Sequence, residues 1–422
     1  MQEICNKTID EKMYFAEHES GLKIYLMHKK GYTKQFAIFA THYGSNDCKF
    51  IIPGENDITQ VPDGIAHFLE HKMFEEEEGS IFEEFSKNGA SANAFTNFTT
   101  TAYLFASTDK FYENLKLLVN FVQNPYFTDE NIEKEKGIIG QEIRMYEDDP
   151  NWRVYFNMLD ALYHIHPVKI DIAGTIDSIS KINKEMLYKC YKTFYHPSNM
   201  VLFAVGDIDI NKSLKIITDN IKEKSKQGTI KRIYPEEPNA VNKDYVEQKM
   251  SVSMPIFNIG FKDTDVGYGG KKLLKKDLST QISLELLAGR SSDTYEELYN
   301  EGLIDNTFET EYIGEIDHGY SIIGGQSKNP RAVKDLILNK LANTDNFKEE
   351  DFERIKKKFM GRFLRAFNSV DCIGQSFISY YMKDINILDY LDVLKEIQYI
   401  DIINRFKHHL NKENSVLSVV KP

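Results

Sequence analysis

Pro62-Asp63-Gly64-Ile65-Ala66-His67-Phe68-Leu69-Glu70-His71 is the stretch from which the rest of this chain can be read. Proline and aspartate suit a helix's first turn, so a helix is expected to begin near Pro62-Asp63. A helix advances 3.6 residues per turn, which puts His67 and His71, four apart, on one face with their ring nitrogens converging. Neutral imidazole is the commonest zinc ligand, and a catalytic zinc takes three protein ligands and keeps one position open for water. Glu70, next to the second histidine, is then poised beside that water without having to be a ligand. Read without chemistry, Ile65, Phe68 and Leu69 are only the core face of an ordinary helix. A second signal downstream argues for chemistry.

That signal is Glu133-Lys134-Glu135-Lys136-Gly137-Ile138-Ile139-Gly140-Gln141-Glu142, where Glu135 and Glu142 stand two helical turns apart on one face. One of them can complete a metal sphere. Together the two stretches resemble the pitrilysin/insulinase family of zinc peptidases, the inverzincins, whose His-x-x-Glu-His is followed some seventy residues later by two glutamates seven apart. The resemblance makes Glu142 the third ligand of Zn2+, Glu135 the outer carboxylate that steadies the site, and Glu70 the catalytic base. It extends to Gly89-Ala90-Ser91-Ala92-Asn93-Ala94-Phe95-Thr96, similar to the family's substrate-binding edge strand, with Ala92, Asn93 and Ala94 at its centre. His196-Pro197-Ser198-Asn199-Met200 and the apolar Val201 to Gly206 resemble the close of its first domain. The likeness is greatest to a bacterial cytosolic subfamily, the YmfH-like proteins, and covers essentially the whole chain.

Composition sets the frame. At 422 residues two to three domains are expected, and 41% apolar residues with 27 Phe and 24 Tyr can fill sizeable cores. A net charge of −12 with no compensating basic patch argues against a nucleic-acid partner. The acidic run Glu75 to Glu78 reads as a solvated helix end. Cys5, Cys48, Cys190 and Cys372 show no paired spacing, so neither a disulfide framework nor a cysteine metal site is expected and a reducing compartment fits best. The amino terminus lacks the pattern of a secretory signal or transit peptide. No apolar run approaches membrane-spanning length, so the expected location is cytoplasmic.

Along the chain, Leu22 to Met27 and Gln35 to Tyr43 read as a hairpin-like pair of strands. A helix over Ile81 to Ser86 should stop at Asn88-Gly89. Strands follow near Ser91 to Thr96 and Thr101 to Ser107, then helices over Lys110 to Gln123, Asp129 to Tyr146 and Lys184 to Tyr195, and a strand over Val201 to Val205. Residues 224–244 turn polar and form the expected linker between a metal-binding domain, 1–223, and a second domain, 245–422. The second domain echoes the first. Ile256 to Phe261 answers Phe36 to His42, Leu273 to Ala288 the histidine helix, Thr294 to Asn300 the helix at Ile81, strands near Thr307 to Tyr312 and Tyr320 to Gly325 the two earlier strands, and Val416 to Val420 the closing strand. The expected fold class is α+β: two homologous domains, each a mixed or antiparallel sheet flanked by helices, forming a bilobal half-clamshell.

By the resemblance, the chain is a zinc-dependent endopeptidase that cleaves flexible peptides within a chamber. One departure bears on mechanism. The family's non-metal half usually supplies an arginine and a tyrosine, seven apart, that hold the developing oxyanion; the matching stretch here, Leu298 to Asp305, has no arginine and no tyrosine at the right distance. Two-chain members obtain that pair from a sister subunit, so a heterodimer is expected; were the isolated chain fully active instead, Arg290, Tyr295, Tyr299 and Tyr312 would be the nearest candidates within this sequence. The alternative is a peptide-binding or assembly subunit with an idle zinc site.

Overall fold

The computed structural model describes residues 1–77, 79–341 and 347–422. Glu78, the last residue of the acidic run, lies outside them. Contacts divide the chain into two compact units: Met1–Ile143 with Ile170–Tyr234 and Arg365–Met382, and Arg144–Lys169 with Pro235–Leu364 and Lys383–Pro422. The passage at Tyr234–Pro235 falls inside the polar stretch 224–244. The segments 144–169 and 365–382 each sit in the unit built mainly from the other half of the sequence.

The first unit is built on a seven-stranded sheet. Its strands are β1 (Gln2–Asn6), β2 (Glu11–Glu17), β3 (Lys23–His28), β4 (Gln35–Thr41), β5 (Ala90–Thr96), β6 (Thr101–Ser107) and β7 (Met200–Gly206), in the order β1-β2-β3-β7-β4-β6-β5. β3 and β4 are therefore not a hairpin, as their sequence neighbourhood suggested. β7 inserts between them, parallel to β3 and antiparallel to β4. All seven residues of β7 are buried, as a strand covered on both faces must be, so its apolar run carries no alternation that would reveal its neighbours. β5 forms one edge of the sheet, paired only with β6 among the described strands, and β1 forms the other.

The second unit holds five strands, β8 (Tyr245–Lys249), β9 (Ile256–Lys262), β10 (Glu309–Gly314), β11 (Gly319–Gln326) and β12 (Ser415–Lys421), in the order β8-β12-β9-β11-β10. Among the described residues of this sheet the only parallel pair is β8 with β12, matching β3 with β7, and every other pairing is antiparallel. The order β3-β7-β4-β6-β5 is thus repeated strand for strand. The duplication expected from pattern is present as topology.

The histidine helix is α1 (Ile65–Lys72), followed by α2 (Ile81–Lys87), α3 (Asp129–Asp148) and α4 (Pro150–Leu162). α1 starts later than Pro62-Asp63 suggested, because Gly64 at its N-cap adopts a left-handed φ of 87°. A side chain there would meet the Ala173 carbonyl oxygen at 2.4 Å, so the close approach of the 173–174 loop also demands glycine. α2 ends at Asn88 with Gly89 at φ 70°, the expected left-handed stop.

In the second half α5 (Gly270–Ala288) and α6 (Asp293–Asn300) take the places of α1 and α2, and α7 (Val370–Tyr381) that of α4. α4 and α7 are exchanged: α4 packs on β9 and β12 in the second unit, and α7 on β4 and β7 in the first. A glycine admits each helix, on opposite sides of the contact. Gly374 of α7 lies against the Phe36 ring of β4, whereas Gly260 of β9 lies against Met158 of α4. No helix among the described residues is long and apolar enough to cross a membrane.

Candidate metal centre

α1 packs against β5 and β6, burying Ile65, Phe68 and Leu69 and turning His67, Glu70 and His71 toward α3. α3 brings Glu142 opposite both imidazoles. His67 Nε2 lies 3.7 Å from Glu142 Oε1, and His71 Nε2 lies 3.4 Å from Glu142 Oε2. One donor atom from each of the three residues lies within 4.8 Å of the others. Zinc bonds of ~2.0–2.1 Å in tetrahedral array place adjacent donors roughly 3.3–3.4 Å apart. The two separations, one to each carboxylate oxygen of Glu142, are near that spacing, and with one donor atom from each residue within 4.8 Å of the others the chemistry of the set suits such an ion.

Glu135, two turns before Glu142 on α3, approaches His71 from the far side. Its Oε1 accepts from His71 Nδ1 at 3.0 Å. A ring that donates from Nδ1 keeps its lone pair on Nε2, the atom that faces Glu142. Burial works against charge on His71, but the Glu135 hydrogen bond and the nearby Glu70 and Glu142 carboxylates raise its pKa overall. His67 is pushed down to about 3, by burial first and by the charge of His71 second, and is neutral at ordinary pH. Its Nδ1 is buried without a hydrogen-bond partner among the described residues, so of the two rings His71 is the one whose tautomer a protein contact sets.

Glu70 lies one residue before His71 with its carboxylate buried, and burial raises its pKa. Its Oε2 accepts from Thr96 Oγ1 at 2.7 Å. Thr96 is the last residue of β5, so the edge strand and the carboxylate beside the donor triangle are physically tied. Ala92, Asn93 and Ala94 lie in mid-strand, with Asn93 exposed and both alanines half-buried. Sequence reading brought His67, Glu70, His71, Glu135 and Glu142 together but missed Thr96, whose only signal was its place at the end of β5.

A second group, His166, Asp317 and His318, also brings donor atoms within 4.8 Å of one another. Its hydrogen bonding suits it less to a metal. His166 Nδ1 accepts from the Val168 N–H at 3.1 Å, so in the neutral ring the proton sits on Nε2, 3.4 Å from Asp317 Oδ2. His318 Nδ1 pairs with the other oxygen of Asp317 at 2.7 Å. Asp317 is thereby held well below the usual carboxylate range despite burial, and joins segment 144–169 to the turn between β10 and β11.

The nearest substitutes for the missing oxyanion pair differ in availability. Tyr312 is buried and donates to Asp263 Oδ2 at 2.6 Å, whereas Arg290 donates to the Asn306 carbonyl at 3.3 Å. Tyr295 and Tyr299 stack at 6.1 Å, with Tyr299 exposed.

Comparison with known proteins identifies the family. Residues 58–176, which hold all five site residues, match the family model described as Insulinase (Peptidase family M16); residues 181–359 match that described as the Peptidase M16 inactive domain. The chain is 44% identical over 417 residues, 98% of its length, to YmfH of Bacillus subtilis (strain 168), named an uncharacterized zinc protease, and the match spans 97% of that protein. The solved structure of an M16-like protein from Alicyclobacillus acidocaldarius superposes with a TM-score of 0.93 at 38% identity, over 97% of this chain and 98% of the other. A protease from Helicobacter pylori shares the fold at 18% identity, with a TM-score of 0.82 over 98% and 100% of the two chains.

Proposed function

The chain belongs to the insulinase (M16) family of peptidases, and we propose that it is a zinc-dependent endopeptidase acting on flexible peptides, with His67, His71 and Glu142 as the metal ligands. The observation that carries the reading is the convergence of those three donors, backed by Glu135 behind His71 and flanked by Glu70. Zinc held there supplies a Lewis acid that polarises a scissile carbonyl and makes water a nucleophile near neutral pH.

The chain's own residues do the rest. Glu70 takes the proton of the attacking water and delivers it to the leaving amine nitrogen, and the Thr96 hydroxyl holds its carboxylate in place. β5, open along one edge, pairs with an extended peptide through the main chain of Ala92, Asn93 and Ala94. Such pairing gives affinity with little demand on side chains, which favours unfolded substrates. Among the described residues, the second domain's matching helix α5 contributes to no donor triangle. The absence of an arginine–tyrosine pair between Leu298 and Asp305 makes a sister subunit of the same family the source of the oxyanion donors, in a heterodimer that encloses the substrate. Four free cysteines support a cytoplasmic home.

The test is cleavage of a quenched, unstructured peptide by the purified chain, before and after chelation and zinc restoration, alone and with a second family member from the same genome. Zinc-dependent cleavage that rises on adding the partner, saturating near one per chain, is the expected result. Full activity of the isolated chain refutes the heterodimer. Stoichiometric zinc with no cleavage in either arm refutes the peptidase and leaves a peptide-binding or assembly subunit.

A further inference from the structure

We propose that Lys72, the residue after the second histidine, is a positioning residue for the metal centre, acting on His71 through Glu135; this rests on the zinc reading above. Lys72 is fully buried at the last turn of α1. Removing an ammonium from water is costly unless carboxylates and carbonyls replace the lost hydration. Here its Nζ binds Glu75 Oε2, lies 3.4 Å from the Asn131 carbonyl oxygen, and stands 3.7 Å from Glu135 Oε2.

The other oxygen of Glu135 is the one that accepts from His71 Nδ1. The two oxygens thus face two different partners, a hydrogen bond to His71 on one side and the ammonium charge of Lys72 on the other. Glu135 is itself only 4% exposed, so no water shell can stand in for the ammonium. Without Lys72, its remaining hydrogen-bond partner among the described residues is the imidazole it is meant to orient. The chain of contact runs Glu75, Lys72, Glu135, His71, and its last link decides which ring nitrogen points at Glu142. Glu75 thereby has a task that its place in an acidic run concealed.

Three full-length variants test this: Lys72→Met, which keeps the chain length and removes the charge; Lys72→Arg, which keeps the charge; and Glu75→Gln, a change at a partly exposed position that leaves the core intact. Zinc affinity is measured by competition with a chromophoric chelator, and the His71 tautomer by nitrogen-15 NMR of the metal-free protein. Lys72→Met should weaken zinc about 10- to 100-fold, the usual effect of losing an outer partner of a metal-bound histidine, and should erode the single Nδ1–H tautomer. Lys72→Arg should restore most of both, and Glu75→Gln should show a weaker form of the same two changes. A residue that merely stabilised the fold would lower the melting temperature and leave tautomer and affinity alone.

If Lys72→Met does not fold, Glu75→Gln decides. Zinc affinity within twofold of the parent and an unchanged tautomer, in Glu75→Gln and in any folded Lys72→Met, overturn the proposal. A parent chain that takes up no zinc refutes the underlying metal reading instead.

Discussion

Replacing Glu142 by alanine removes the one donor that faces both imidazoles, and its effect can be worked from the geometry. Zinc sites built from four protein ligands bind with apparent free energies of about 10–16 kcal/mol, or roughly 2.5–4 kcal/mol per ligand. At about 1.4 kcal/mol per tenfold, that is a loss on the order of a hundred- to a thousandfold. The Glu142 side chain is 21% exposed, so a water can partly take its place and the lower end is expected. Glu135→Ala removes only the partner of His71 Nδ1 and should cost about 10- to 100-fold. The assay is chelator competition on both purified variants, with metal analysis after exhaustive dialysis and the melting temperature of the metal-free proteins as control. Parental zinc affinity in Glu142→Ala, or a clearly larger loss in Glu135→Ala, would refute the assignment of the third ligand and reverse the roles of the two carboxylates.

Glu70→Gln keeps an oxygen for the Thr96 hydroxyl but cannot take a proton, so it should retain zinc and lose cleavage by about a hundredfold or more; near-parental turnover places the base elsewhere. Glu237 accepts the backbone N–H groups of His164, Ile165 and His166, each at 2.8 Å, and pairs with Lys262. Burial alone would raise its pKa, but these partners bring it down to about 2. A carboxylate depressed in the folded state stabilises above its ordinary pKa near 4.5, and that contribution is lost as pH falls toward about 2. Glu237→Gln should therefore flatten acid unfolding between those limits, followed by circular dichroism, and an unchanged acid profile counts against the clamp. Gly374→Ala drives a methyl into the Phe36 ring, 2.2 Å from an ideal Cβ, and should destabilise the first unit by about 1–3 kcal/mol, whereas Gly361→Ala, with open space around it, should be neutral or stabilising; equal melting temperatures for both contradict the packing of α7 on the first sheet.

What was legible in the sequence was local or periodic. Helical spacing placed His67 against His71 and Glu135 against Glu142, and the left-handed stop at Gly89 followed from residue type. β3 and β4 misled because adjacency in sequence is the only cue to pairing, and the strand that separates them, β7, arrives about 160 residues later. The exchange of α4 and α7 left no trace, since an amphipathic helix records that it has a buried face and not which sheet covers it. Lys72 was invisible for the opposite reason. A lysine at a helix end is ordinarily solvated, and only long-range packing shows this one enclosed by carboxylates.

The duplication also explains why only one half carries donors suited to a metal. α1 and α5 hold matching places, and both bury polar side chains that need partners. On α1 these include His67 and Glu70, which meet Glu142 and Thr96. On α5 they include Lys276 and Thr280, and their partners are already charged protein groups. Asp263, just past β9, is fully buried and takes Arg405 at 2.6 Å, Lys276 at 3.3 Å and the Tyr312 hydroxyl at 2.6 Å, while Arg405 Nε donates to Thr280. Burial would raise the pKa of Asp263, yet His409, Arg405 and Lys276 hold it far below the usual carboxylate range. In that cluster the carboxylate of Asp263 is already committed to two cations, which would repel a metal ion. Placing a histidine pair on α5 would therefore not create a second metal centre, because Lys276 and Arg405 would have to go as well, leaving Asp263 uncompensated at a cost of about 3–5 kcal/mol. The two halves have met the same requirement, a satisfied polar face on a buried helix, by mutually exclusive means.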